Sequence, residues 1–153
     1  MNKLPIVSVA LKNIATLGFV GFLPIAPGTW GSLCGMVFLL VFPISWPVHL
    51  LFIAGGFVIG VKASAVAEVI IGQHDSGHII IDEFVGFLVA AFYMPHTVRY
   101  LLAAFLLFRV FDILKPFPVN RVEKAFRGGF GIMADDIAAG LYANMIIHLW
   151  IAI

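Results

Sequence analysis

Val48-His49-Leu50-Leu51-Phe52-Ile53-Ala54-Gly55-Gly56-Phe57-Val58-Ile59-Gly60-Val61-Lys62-Ala63-Ser64-Ala65-Val66-Ala67-Glu68-Val69-Ile70-Ile71-Gly72 is the stretch that decides the fold. Its first half is apolar apart from His49, and Lys62, Ser64 and Glu68 enter only in the second half. No strict alternation of apolar and polar residues runs through it and no proline interrupts it, so it reads as one long helix. At about 1.5 Å per residue, such a helix matches a bilayer core of about 30 Å.

The rest of the chain has the same character. Of its 153 residues 62% are hydrophobic and 11% charged, against about 25% charged in an ordinary soluble domain. Residues 13–61, 84–98 and 137–153 carry no Asp, Glu, Lys or Arg. This places the chain in the membrane class. The length fits a single domain, 1–153. The net charge is +1, and the Lys and Arg residues form no stripe with interleaved aromatics, which argues against nucleic acid as a partner. Cys34 is the sole cysteine, so no intrachain disulfide can form, and it reads as a small buried hydrophobe.

Helices are expected over 7–20, 29–42, 48–72, 82–94, 97–114, 119–127 and 134–153, with 128–131 a flexible glycine loop. No strand pattern is present. The fold class is therefore all-α: a compact multi-helix membrane bundle with about four to five membrane-embedded helices. The helix at 7–20 carries Lys12 and Asn13 on one side and is expected to lie in the membrane interface. Alternating spans put Lys3, Lys12, Lys115, Arg121, Lys124 and Arg127 on one face, with only Arg99 close to the other. The excess of positive charge makes the first face cytoplasmic. Trp46 and Trp150 then mark the far interface and Trp30 the near one.

Asp75, Asp82, Glu83, Asp112, Asp135 and Asp136 all fall on that near face. Asp82-Glu83 and Asp135-Asp136 each open a helix, where acidic residues also serve to offset the helix dipole by about 0.3–1 kcal/mol. Two such pairs on one membrane face, with Asp112 beside them, ask for more than that. Clustered carboxylates repel unless a cation or a proton holds them together. Oxygen ligands without cysteine suit Mg²⁺ or Mn²⁺ rather than zinc. Arg109, Asp112 and Lys115 recur at i, i+3 and i+6. The bland reading is a helix salt bridge with a snorkelling lysine. The functional one has Arg109 and Lys115 holding phosphate oxygens, while Asp112 orients Arg109 or binds metal. The loop Pro27-Gly28-Thr29-Trp30-Gly31-Ser32 precedes a helix, so the backbone at Gly28 and Thr29 offers anion-binding groups. His74 and His78 flank Asp75 in a polar loop and read as solvated. Glu68 points toward the acidic face.

Four segments carry a resemblance. They are Gly28-Thr29-Trp30-Gly31-Ser32; Asp75 with Ile80-Ile81-Asp82-Glu83-Phe84-Val85-Gly86; Arg109-Val110-Phe111-Asp112-Ile113-Leu114-Lys115-Pro116-Phe117-Pro118; and Gly131-Ile132-Met133-Ala134-Asp135-Asp136-Ile137-Ala138-Ala139-Gly140. In order and extent they resemble the motifs of the phosphatidylglycerophosphatase A family. The resemblance implies a Mg²⁺-dependent enzyme of the bacterial inner membrane that converts the phospholipid phosphatidylglycerophosphate to phosphatidylglycerol. The expected metal ligands are Glu83, Asp135 and Asp136, with Asp82 a further candidate. Arg109, Lys115, Gly28 and Thr29 are expected to hold the phosphate. Asp82 or Asp112 is expected to position or deprotonate the attacking water, with an aspartyl nucleophile as the other route. The alternative class is a small cation- or proton-coupled carrier, which would place its ionisable groups near the midplane rather than at one face.

Overall fold

The computed structural model describes residues 5–74, 76–117, 119–121 and 126–152. Among them every regular element is helical. The helices are α1 (Ile6–Ala15), a short 3-10 turn (Val20–Phe22), α2 (Pro27–Val41), α3 (Trp46–Ile71), α4 (Ile81–Ala90), α5 (Val98–Leu114) and α6 (Gly128–Ala152). Asp75, Lys3, Lys124 and Pro118 lie outside the described residues.

The helix α4 is the axis of the bundle. It packs most extensively against α6 and also against α2, α3 and α5. Of its 10 residues, Ile81, Asp82, Val85, Gly86, Phe87, Leu88, Val89 and Ala90 are buried. At about 1.5 Å per residue it is only about 15 Å long, half a bilayer core. Its neighbours enclose it on several sides. Close approach of its neighbours makes this possible. A Cβ on Gly140 of α6 would strike the carbonyl of Gly86, and one on Gly86 would lie 2.8 Å from the Phe108 ring. Small residues at helix crossings are what lets backbones approach this closely.

Among the described residues two helices, α3 and α6, are long and apolar enough to cross a membrane. Only 22% of the apolar window of α3 is buried within the bundle. That distinguishes it from the core helix of a soluble protein. Leu51, Val58, Leu106, Ile113, Met145 and Leu149 are outward-facing apolar side chains on α3, α5 and α6.

Four sequence expectations are corrected. The first helix stops at Ala15 rather than near 20, because Leu17 and Gly18 adopt left-handed backbone (φ 46° and 70°). The Thr16 hydroxyl there donates to the Lys12 or the Gly18 carbonyl. The helix expected over 82–94 ends at Ala90. The glycine loop at 128–131 is instead the first turn of α6. Its glycines serve close packing: a Cβ on Gly129 would strike the Val61 carbonyl, and one on Gly131 would sit 2.6 Å from that of Phe126. Of the short helix expected over 119–127, residues 119–121 are helical, 126 and 127 are not, and 122–125 lie outside the described residues.

Candidate active site

The first turn of α4, the last turns of α5, the first half of α6 and the start of α2 meet at one end of the bundle. Asp82 and Glu83 come from α4 and Asp136 from α6. One carboxylate oxygen from each lies within 4.8 Å of the other two. Asp136 is 3% exposed and Asp82 9%. Asp82 Oδ1, Glu83 Oε2 and Asp136 Oδ2 are buried without a hydrogen-bond partner. Orphaned buried oxygens are rare and call for an explanation such as an ion.

The donor set fits Mg²⁺. Three hard carboxylate oxygens converging on one point are the donors that ion prefers. Metal-free, the three acids oppose one another. Burial, then the Glu83 and Asp136 charges, holds the Asp82 carboxyl well above the usual carboxylate range. Burial likewise pushes Glu83 up to about 7, against the lowering influence of Arg109.

Beside the carboxylates stands a cationic group. Arg109 Nη1 lies 2.6 Å from Asp112 Oδ2, one helical turn on in α5, and Asp112 in turn reaches Asp136. Arg109 Nε is buried with no hydrogen-bond partner. The start of α2 packs onto the same groups. A Cβ on Gly28 would collide with Glu83 Oε1 and come within 3.2 Å of Arg109 Nη1. Ile25 and Ala26 just before it are left-handed (φ 67° and 51°). That conformation is costly for side-chain-bearing residues and tends to persist at functional sites. It aims the α2 N-terminus at the carboxylates. The Thr29 amide donates to the Ala26 carbonyl, while Ser32 Oγ donates to the Gly28 carbonyl. Lys115 caps α5 in the left-handed region (φ 43°), and its Nζ donates to Asp135 Oδ2 at 2.7 Å.

The structure thus brings Asp82, Glu83 and Asp136 together, with Asp112, Arg109 and Gly28 against them. Asp135, as buried as Asp82, stands beside them and is held by Lys115. Glu68 is elsewhere, 3.5 Å from His74. His78 is structural: it stacks on Phe22, and its Nδ1 is 2.8 Å from the Gly21 carbonyl. Ser32 belongs to the 27–32 loop singled out in the sequence, whereas the Ile25-Ala26 bend was missed. A serine four residues after a helix-opening glycine was a usable signal; two consecutive left-handed non-glycine residues had none.

The phosphatidylglycerophosphatase A family model matches residues 13–151. The chain belongs to the phosphatidylglycerophosphatase A family. It is 40% identical over 150 residues to the Haemophilus influenzae phosphatidylglycerophosphatase A, covering 94% of this chain and 92% of that protein. To the Escherichia coli phosphatidylglycerophosphatase A it is 35% identical over 140 residues, covering 89% and 81%. A Bacteroides thetaiotaomicron protein named, provisionally, as a phosphatidylinositol-3-phosphatase is 38% identical over 137 residues, covering 83% and 84%. No solved structure matches the chain.

Proposed function

We propose that the chain hydrolyses the phosphate monoester of phosphatidylglycerophosphate to phosphatidylglycerol, with Mg²⁺, at the cytoplasmic face of a bacterial inner membrane. The observation that carries the reading is the cluster of Asp82, Glu83 and Asp136, with Glu83 set against Arg109 and the glycine start of α2. Cation-binding and phosphate-binding groups share one wall. The names of the Haemophilus and Escherichia relatives supply the lipid substrate.

In this reading Asp82, Glu83 and Asp136 would hold Mg²⁺, and Asp135, held by Lys115, flanks the three. The bound ion supplies counter-charge for the carboxylates and for the phosphate oxygens. Arg109 turns its free Nε edge toward the phosphate, and Asp112 fixes the guanidinium plane. The Gly28 amide adds the dipole of α2. Lys115, on the rim, neutralises an outer phosphate oxygen. Asp112, already against both Arg109 and Asp136, is the nearest base for an attacking water; Asp82 is the second candidate.

The site sits where α3 ends and α4 and α6 begin, which is the face richer in Lys and Arg. As a single domain over 1–153, the chain would embed α2, α3, α5 and α6, with α4 enclosed among them. The outward apolar face of α1, with Ile6 and Val7 exposed, would rest in the headgroup layer and guide the acyl chains. The provisional name of the Bacteroides relative makes a phosphoinositide the competing substrate. Mg²⁺-dependent phosphate release by purified protein, compared on the two lipids, tests the assignment. Preference for the phosphoinositide would replace it.

A further inference from the structure

At the opposite end of α4, about 15 Å from the acidic cluster by helix length, lies a cavity of about 590 Å³. Its walls include Trp46, His49, Tyr93, Met94 and His96. His49 is 1% exposed. One ring nitrogen is engaged by the Leu88 carbonyl in the last turn of α4, and Nε2 is buried with no partner. The Leu88 carbonyl requires an N–H, so the other nitrogen, Nε2, presents a lone pair. Metal-binding histidines are oriented in this way, the second nitrogen donating to a backbone carbonyl.

His96 stands opposite on the turn between α4 and α5. The two ring centroids are 5.5 Å apart and the planes cross at 68°. An imidazole bound at about 2.05 Å places its centroid about 3.2 Å from the metal, so two of them at a tetrahedral angle stand about 5.2 Å apart. The observed 5.5 Å is close to that spacing. Burial lowers the His96 pKa below the ordinary imidazole value, which favours the ligating neutral form. The carbonyl end of α4 borders the same turn and offsets the positive start of α3.

We propose that His49 and His96 bind one transition-metal ion of the zinc class. Imidazole nitrogens prefer such ions to Mg²⁺, and water would fill the remaining positions. The ion would tie the α4–α5 turn to α3. The inference stands independently of the phosphatase reading, because no residue is shared with the acidic site.

The test uses full-length protein in detergent with saturating Mg²⁺, titrated with Zn²⁺ by calorimetry, together with the Zn²⁺-induced shift of the thermal midpoint. The expected result is one equivalent of Zn²⁺ beyond the Mg²⁺ sites and a raised midpoint. His49→Gln and His96→Gln should each weaken binding at least tenfold and remove the midpoint shift, while Asp82→Asn should keep both. His96 is half-exposed on an outer turn, so His96→Gln decides the matter if His49→Gln does not fold. Absence of Zn²⁺ binding, binding that survives His96→Gln, or binding lost in Asp82→Asn would overturn the proposal.

Discussion

Replacing Gly28 by alanine isolates the contact on which the proposed mechanism rests. The substitution changes no charge and removes no ligand. Gly28 does not have left-handed backbone, so alanine is conformationally acceptable there. Its Cβ, however, would overlap Glu83 Oε1 and press on Arg109 Nη1 at 3.2 Å. Relief requires the Glu83 carboxylate to retreat by the order of 1 Å, away from Asp82 and Asp136. A displacement of about 1 Å at a reacting centre costs about 10²-fold in rate, and overpacking costs about 1–3 kcal/mol of stability. Gly55→Ala is the matched control, because a Cβ there meets nothing within 4 Å. It should leave turnover unchanged and raise stability by about 1 kcal/mol through helix propensity. Turnover, Mg²⁺ half-saturation and thermal midpoint would be measured on both variants in the same detergent. The account expects Gly28→Ala to lose about 10²-fold in turnover and to need more Mg²⁺. Normal turnover at normal Mg²⁺ would refute the placement of α2 against Glu83.

Further predictions bear on the other groups. Arg109→Lys keeps the charge but loses the guanidinium fork, so turnover should fall by about 10²-fold or more; a normal rate with only a lowered thermal midpoint would reduce Arg109 to a salt-bridge partner of Asp112. Glu83, raised from 4.5 to about 7, keeps in the native state a proton that the unfolded chain has lost across that window. Stability of the metal-free protein should therefore fall as pH rises from about 4.5 to 7, and Mg²⁺ should offset the loss above it; chemical denaturation at several pH values checks this, and a rise in metal-free stability over the window would contradict it. With Cys34 removed, a cysteine at His74, 73% exposed, should resist a membrane-impermeant thiol reagent in intact cells and react after lysis. Labelling in intact cells would reverse the orientation.

The helices were legible where apolar length and punctuation agreed. Residues 48–72 differ from α3 by two residues at the start and one at the end, because Pro47 suits the first turn of a helix and Gly72 its left-handed stop. The start of α6 was misread for a physical reason. Glycines signal flexibility in sequence, whereas Gly129 and Gly131 are required by the Val61 and Phe126 carbonyls, contacts that exist only after folding. The acidic pairs were legible as a cluster, but their division was not. Adjacent residues on a helix diverge by about 100°, so Asp135 and Asp136 take different partners; which of them joins Asp82 and Glu83 depends on the rotation of α6 set at Gly86 and Gly140. Neighbouring Asp82 and Glu83 escape that limit because they lie at the first turn of α4, where both reach the same space. The His49–His96 pairing joins residues far apart in sequence and left no local pattern.

The most direct measurement is phosphate release by the purified full-length protein on phosphatidylglycerophosphate in mixed micelles, with Mg²⁺ and then with excess chelator. The same assay is repeated on Asp136→Asn. The account predicts release with Mg²⁺, none with chelator, recovery when Mg²⁺ is restored, and a loss of orders of magnitude in the variant. Undiminished release in chelator, or a variant as active as the native chain, would contradict a metal-assisted phosphatase built on Asp82, Glu83 and Asp136.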